Sequence, residues 1–258
     1  MTEAPSLFCH PARVRPRFRP VKALRHFRAL IRDKEDTEQV FHMTDCLPSR
    51  RFRAVERAFC ESAQGQALMA REPWLPTVLD DHAALLKLPD DSVGQAYVRF
   101  MRAEGLSAAG LVAESEKAGR PYFDDQVGWF NNRLRDTHDL VHVLTGYGRD
   151  ALGEQCALGF SYGQYHAWTD GFLAWAASFE LKRRVKSDAP VFGAVAQAVK
   201  AGKAATPIFS TDVTALLAEP LESARKRMNI GTPDIYQRAH QHFRASGINP
   251  FDFLAAAA

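Results

Sequence analysis

From Thr44 onward, apolar residues recur three or four positions apart, which is the spacing of one face of an α-helix. One run stops before Pro73 and carries Phe52, Val55, Phe59, Ala63 and Leu68. A second run stops at Gly105 and carries Val93, Tyr97, Phe100 and Met101. The sequence has no convincing stretch that alternates apolar and polar residues as a half-buried strand does. The pattern therefore predicts an all-α fold in a single domain.

Two longer apolar segments are each predicted to form one continuous helix. The first, FDDQVGWFNNRLRDTHDLVHVLTG, starts with acidic residues and ends at Gly146. The second, DALGEQCALGFSYGQYHAWTDGFLAWAASFELKRRV, starts at Asp150, a residue type suited to capping a helix N-terminus. The glycine-rich stretch TGYGRDALG lies where the two segments meet. It is predicted to be a turn that leads into the second helix.

The N-terminal segment is strongly basic, with Glu3 as the only acidic residue up to Arg32. The run PVKALRHFRALIRD forms an apolar stripe at helical spacing, through Val21, Leu24, Phe27, Leu30 and Ile31. Such a helix can dock on the domain with its charges in water, lie in an anionic membrane surface, or do both. We therefore divide the chain into a basic arm with an amphipathic helix (1–32), a helical domain (33–235) and a C-terminal tail (236–258). His240 and His242 lie in the tail, where we assign them no ligand role.

Composition narrows the class of protein. Of 258 residues, 46% are hydrophobic and 24% are charged, which is ordinary for a soluble globular protein. A net charge of +3 is too small to indicate nucleic-acid binding, and four scattered cysteines indicate a reducing compartment. No apolar run reaches the roughly 20 residues of a membrane-spanning helix. We expect a bacterial cytoplasmic protein peripheral to the inner membrane. The arginine-rich leader leaves the matrix side of the mitochondrial inner membrane as an alternative.

Small residues recur every four positions in the second long segment, at Gly159, Gly163, Ala167 and Gly171. Glycine lowers helix propensity by up to about 1 kcal/mol relative to alanine, so this repetition needs a reason. Close packing against a neighbouring helix is one explanation. Space for a thin apolar ligand beside Tyr162 and Trp175 is the other.

The segment THDLVHVLTGYGRDALGEQ carries the candidate chemistry. His138 and His142 are four residues apart on a predicted helix, about 40° apart on its circumference, with Asp139 between them. This is the spacing by which one helix offers two imidazoles to a zinc ion. If the glycine turn reverses the chain, Glu154 returns to the same place. The spacing favours a metal site, although hydrogen-bonded core residues would also satisfy it.

The pattern HDLVH, followed after eleven residues by Glu154, resembles the HD-x-x-H…E signature of the Coq-four family of coenzyme Q (ubiquinone) biosynthesis. The flanking stretches LPDDSVGQAYVRFM and EPLESARKRMNI are also similar to that family, so the resemblance runs from about Cys46 to Ile230. It implies an all-α fold with an apolar pocket for a polyprenyl chain. It also implies a divalent ion, usually taken as zinc. The ligands that it implies are His138, Asp139, His142 and Glu154.

The activity implied by this resemblance is oxidative decarboxylation of a polyprenylated hydroxybenzoate, with the ring carboxyl group replaced by hydroxyl. Zinc has no redox chemistry, so dioxygen is expected as co-substrate if zinc is the ion. Arg133 and Arg135, just before the motif, are candidates for pairing with a substrate anion; a structural or solvent-exposed role is the alternative. The lipid chain is expected along the small-residue stripe, at Gly159, Tyr162, Gly163, Ala167 and Gly171. Expected partners are other ubiquinone-biosynthesis proteins, a membrane surface and a second copy of the chain.

Two other functions stay open at this stage. A non-catalytic, metal-stabilised scaffold would bind the prenyl lipid and present it to other enzymes. A metal-dependent phosphohydrolase of the HD type would need further ligands from separate helices, for which only His82 and Asp170 are available. The motif also differs from H-E-x-x-H peptidases, because Asp139 stands where those enzymes have glutamate.

Overall fold

The predicted helices are present in the computed structural model, which describes residues 5–33, 36 and 38–252. Within these ranges the regular elements are sixteen α-helices and one short 3-10 helix, with no strand, so the prediction of an all-α domain is confirmed. The α-helices are α1 Pro20–Arg32, α2 Glu38–Cys46, α3 Arg50–Cys60, α4 Ala63–Arg71, α5 Leu75–Asp80, α6 His82–Leu85, α7 Val93–Glu104, α8 Ala108–Lys117, α9 Gln126–Asp136, α10 His138–Thr145, α11 Ala151–Tyr165, α12 Trp168–Arg184, α13 Val191–Ala204, α14 Val213–Ala218, α15 Leu221–Arg227 and α16 Asp234–Ala245. The 3-10 helix covers Ile208–Ser210.

Helix α11 lies at the centre of the fold and packs against both α12 and α13. Two of its glycines allow the close approach to α13. A Cβ on Gly163 would lie 2.5 Å from the Val199 carbonyl oxygen, and one on Gly159 would lie 3.4 Å from the Val195 side chain. At these two positions the small residues serve helix–helix packing, and the backbone of α13 occupies the space that a ligand would need.

Both long helices predicted from the sequence are interrupted. Thr137, with φ −93° and ψ 3°, separates α9 from α10, and its hydroxyl donates to the Arg133 carbonyl. His166 adopts a left-handed conformation (φ 58°) and ends α11 before α12 begins. The second break turns α12 back along α11, so that Gly171 comes to lie against the Tyr162 ring. The stripe of small residues is therefore divided between two helices.

The C-terminal segment is a packed helix where we expected a tail. Tyr236, Ala239, His240 and Phe243 are all buried on α16, which packs against α13 and α11. These positions follow helical spacing, but the polar residues between them hide the stripe in the sequence. The correction places His240 in the interior and leaves His242 exposed. Residues 253–258 of the expected tail lie outside the described residues.

The basic arm is docked on the domain from residue 5 onward; residues 1–4 lie outside the described ranges. Arg13 forms an ion pair with the buried carboxylate of Asp125, with Nε 2.6 Å from Oδ2. Burial opposes the charge on Asp125, but Arg13 and the His10 and Gly128 N–H groups lower the pKa of this carboxyl. Helix α1 then buries Ala23 and places Phe27 5.3 Å from Phe172. Docking is thus observed, while other apolar residues of α1 stay exposed.

Candidate metal centre

Three of the predicted ligands meet between α10 and α11. His138 and His142 lie on α10, and Glu154 lies in the first turn of α11. Oε2 of Glu154 is 3.8 Å from Nε2 of His138 and 3.5 Å from Nε2 of His142. One ligand atom from each residue falls within 4.8 Å of the other two. Two imidazoles and a carboxylate at this separation can bind a single divalent cation.

The turn between the two helices explains this convergence. Gly146 ends α10 in a left-handed conformation (φ 76°), and its N–H donates to the His142 carbonyl. Asp150 then starts α11 by accepting hydrogen bonds from the N–H groups of Leu152 and Gly153, as its predicted N-cap role requires. Gly153 has to be small because a Cβ there would overlap the Gly148 carbonyl. The glycine-rich sequence therefore reverses the chain within a few residues and returns Glu154 to the two histidines.

The surroundings of His142 prepare one nitrogen for a cation. Its Nδ1 lies 3.1 Å from the Tyr147 carbonyl oxygen, which can only accept a hydrogen bond, so Nδ1 carries the proton. In the neutral imidazole, Nε2 is then the nitrogen that keeps the lone pair a cation needs. This atom is buried and has no hydrogen-bond partner among the described residues. The Phe100 ring stacks on the imidazole at 5.4 Å, which holds the ring plane in place. A buried nitrogen that is held in position and has no hydrogen-bond partner is suited to bind a metal ion.

The electrostatic coupling of Glu154 with the two histidines also fits a cation site. Burial alone would raise the pKa of Glu154, but the facing His142 and His138 lower it well below its ordinary value. Burial would likewise lower the pKa of His138, but Glu154 raises it to about 9. In the absence of a cation, the carboxylate is therefore charged and balanced by a proton on His138. A divalent ion would take over that role and release the proton.

Asp139, the fourth predicted ligand, is buried but lies outside this group. It is close to Tyr97: burial and then the charge of Asp139 raise the pKa of this phenol. The Tyr97 hydroxyl is itself buried without a hydrogen-bond partner among the described residues. His82 and Asp170, which a phosphohydrolase would need, are also outside the group.

The two arginines proposed for anion binding have other partners. Arg133 is 2% exposed; it donates to the Phe209 and Thr211 carbonyls and forms an ion pair with Glu72. Arg135 pairs with Asp136 and donates to the Ser115 hydroxyl at 3.0 Å. Both side chains are thus engaged in contacts within the protein.

Arg149, which the sequence analysis did not single out, does reach the cluster. Its Nε lies 3.3 Å from Oε1 of Glu154. The sequence feature that could have identified Arg149 is its place in the turn, five residues before Glu154. This feature indicates a contact with Glu154 only if the direction of the turn is known.

An apolar pocket of about 360 Å³ opens between the arm and α12. Its lining is Phe18, Pro20, Ala23, Leu47, Tyr162, Trp168, Gly171, Phe172 and Trp175. Of the predicted lipid-binding residues, Tyr162 and Gly171 line this pocket, while Gly159 and Gly163 face α13. Ala167 is the N-cap of α12 and is not part of the lining. Within the described residues, no helix has the length and apolar content needed to cross a membrane.

The family model and the similar proteins all indicate the same family. The sequence model of "Coenzyme Q (ubiquinone) biosynthesis protein Coq4" matches residues 22–234. The mitochondrial ubiquinone biosynthesis protein COQ4 homolog of Drosophila ananassae is 34% identical over 93 residues, which are 36% of this chain and 33% of that protein. The mitochondrial COQ4 of Scheffersomyces stipitis is 24% identical over 195 residues, which are 74% of this chain and 58% of that protein. The chain thus spans from a third to under two thirds of the length of these relatives.

A solved structure supports the fold. The crystal structure of a Nostoc punctiforme protein, described as a ubiquinone biosynthesis protein, matches with a TM-score of 0.60 at 16% identity. The match covers 83% of this chain and all of the other. At this identity the similarity concerns the arrangement of the helices and not the chemistry of the site.

Proposed function

Because this chain belongs to the Coq4 family of ubiquinone biosynthesis proteins, we propose that it catalyses a metal-dependent oxidative decarboxylation in that pathway. The substrate would be a polyprenylated hydroxybenzoate, whose ring carboxyl group is replaced by hydroxyl. The observation that carries this proposal is the convergence of His138, His142 and Glu154 at a partly exposed position between two helices.

The residues fit a divalent ion, and zinc suits the donor set of two imidazoles and one carboxylate. His138, His142 and Glu154 would hold it, with Asp139 either as a further ligand or as a second-sphere residue. The ion would supply Lewis acidity toward an oxygen of the substrate. The protein's part is to fix the donors: the Tyr147 carbonyl orients His142, and the Asp150 cap orients the first turn of α11, which carries Glu154.

The reaction needs an oxidant, because exchange of carboxyl for hydroxyl oxidises the ring carbon by two electrons. We propose dioxygen in this role. The carboxylic acid, water and dioxygen then give the phenol, carbon dioxide and hydrogen peroxide, so the two electrons from the ring pass to dioxygen. The bond between the ring carbon and the carboxyl carbon breaks, and a carbon–oxygen bond forms at the same ring position.

The prenyl chain of the substrate would occupy the apolar pocket beside Tyr162 and Gly171. Phe18, Trp168 and Trp175 are exposed residues of the pocket lining, and α1 and α12 carry further exposed apolar residues at Val21, Leu24 and Phe179. We call these six residues the apolar rim. Exposed basic residues adjoin the rim, at Arg17, Arg19, Lys22 and Arg25. Apolar side chains beside cations are typical of a surface that rests on anionic lipid. A membrane-borne substrate could then enter the pocket directly.

Replacing Trp168 and Phe179 together by glutamate is expected to release the protein from anionic vesicles. Burial of each aromatic side chain contributes about 1.5–3 kcal/mol, so the partition coefficient should fall by at least roughly 100-fold. Flotation with vesicles of phosphatidylglycerol and phosphatidylcholine measures this. Tyr122→Glu is the matched control, since Tyr122 is 80% exposed but outside the rim. Equal loss in the control, or none in the double variant, would remove the rim from the proposal.

The decarboxylation itself is tested with a prenylated 4-hydroxybenzoate labelled in its carboxyl carbon. Metal-loaded protein is expected to release labelled carbon dioxide in the presence of dioxygen, and chelator-stripped protein is expected not to. The product should be the corresponding phenol with one additional hydroxyl group. If the loaded protein retains prenyl lipid but never releases carbon dioxide, the non-catalytic scaffold is the better explanation.

A further inference from the structure

Arg149 lies at the candidate metal centre, and its position is not explained by a role in a helix or in the hydrophobic core. It lies in the turn between α10 and α11 and is not part of either helix. Its side chain is 34% exposed, and its Nε approaches Glu154 Oε1 at 3.3 Å. Among the described residues, this is the hydrogen bond that the guanidinium makes. Its two Nη groups therefore keep donors that can point toward an incoming ligand.

The two oxygens of the Glu154 carboxylate face different partners, imidazoles on one side and a guanidinium on the other. Oε2 faces the imidazoles of His138 and His142, and Oε1 faces Arg149. A cation bound by Oε2 and the two imidazoles would thus be separated from the guanidinium by a single carboxylate group. An anion that contacts Arg149 would be held next to that cation.

The cluster has one closed side and one open side. The His142 side chain is 1% exposed, whereas His138, Glu154 and Arg149 are 29%, 30% and 34% exposed. These three residues form the exposed side of the cluster, from which a substrate can approach. With a divalent ion present, the ion and Arg149 together would offset the negative charges of Glu154, Asp139 and Asp170, which all act on His138. Arg149 then remains a cationic hydrogen-bond donor on the exposed side of the cluster.

We infer that Arg149 binds the ring carboxylate of the substrate and thereby selects carboxylated over decarboxylated rings. This inference rests on the proposed function. The guanidinium presents parallel N–H donors that match a carboxylate in a way that lysine cannot. Arg133 donates to the Phe209 carbonyl, Arg135 pairs with Asp136, and Arg225 donates to the Val143 and Leu144 carbonyls at the end of α10.

A purely structural role for Arg149 makes a different prediction. If it only oriented the Glu154 carboxylate, its loss would change metal binding and leave ligand selection unchanged. If it binds the substrate, its loss would leave the metal in place and remove the preference for a carboxylate. These two outcomes can be separated without measuring turnover.

The test is calorimetric binding of two ligands to the metal-loaded protein under anaerobic conditions. The ligands are a 4-hydroxybenzoate with a short prenyl chain and the matching prenylated phenol without the carboxyl group. We expect Arg149→Gln to weaken binding of the carboxylate ligand by about tenfold or more, and binding of the phenol by less than about twofold. Arg149→Lys is expected to restore only part of the loss, because lysine keeps the charge without the paired donors.

Arg57→Gln is the matched control, since Arg57 of α3 forms an exposed ion pair with Glu61 at 3.0 Å, outside the cluster. The inference is overturned if Arg149→Gln keeps the carboxylate preference, if it loses the metal, or if the wild-type protein shows no preference. None of these results bears on the release of labelled carbon dioxide by the wild-type protein, so a failure of the proposed function is recognised separately.

Discussion

Replacing His142 by alanine is expected to remove most of the divalent metal that the wild-type protein retains. The imidazole is 1% exposed, and its Nε2 is the buried atom that points toward Glu154 without a hydrogen-bond partner of its own among the described residues. Loss of an outer-sphere partner typically lowers metal affinity by about 10- to 100-fold, and removal of a ligand should cost more than that. The two remaining ligands, His138 and Glu154, would form only a weak site.

Elemental analysis after dialysis against metal-free buffer measures this loss. His42→Ala is the matched control, because His42 also faces a glutamate (Glu38, at 2.9 Å) but lies outside the cluster. The same series settles the place of Asp139. A loss in Asp139→Asn as severe as that in His142→Ala would make it a ligand, whereas a smaller loss would leave it in the second sphere. Metal content that is equal in wild type and His142→Ala would remove this cluster from the proposal.

The convergence of His138, His142 and Glu154 was largely predictable because its determinants are local. His138 and His142 are one helical turn apart, and the glycines at 146, 148 and 153 indicate a reversal close to Glu154. Both features are read from a short stretch of sequence. Asp139 shows the limit of this reasoning, since the wheel geometry places it near the same face. Its carboxylate nevertheless lies outside the group that the other three residues form.

The helix boundaries were less predictable, for a physical reason. His166 and Thr137 are not strong helix breakers, and the apolar pattern continues through both. Each break depends on the packing of whole helices, which for α12 means its return along α11. The packing of α12 back along α11 also determined which neighbours the small residues contact. Gly159 and Gly163 meet α13, while Gly171 meets Tyr162 at the pocket.

Contacts between distant segments could not be predicted at all. The partners of Arg133 are residues 72, 209 and 211, and the long-range partners of Asp150 are Tyr236 and His240 on α16. Nothing in the local sequence pairs these positions. The assignment of residues 236–258 to a tail was the direct result, because α16 becomes recognisable only through the interior that it covers.

Replacing Asp150 by alanine is expected to have the largest effect on stability. Its carboxylate is fully buried and accepts hydrogen bonds from the Leu152 and Gly153 N–H groups. It also accepts one from the Tyr236 hydroxyl at 2.5 Å, and it lies 3.1 Å from His240 Nε2. The substitution removes a helix cap and leaves the buried groups of α16 without their partner. We expect a loss of about 3 to 5 kcal/mol in the free energy of unfolding, measured by urea denaturation.

Asp212→Ala provides the comparison, because Asp212 caps α14 through the Ala215 N–H but its side chain is 37% exposed. Loss of such a cap should cost about 1 kcal/mol. The difference between the two variants therefore measures what the link to α16 contributes beyond capping. Asp150→Ala should also weaken metal retention, since Glu154 lies in the turn of α11 that Asp150 holds. Equal destabilisation of the two variants would mean that Tyr236 and His240 find other partners, and that α16 does not stabilise the metal centre.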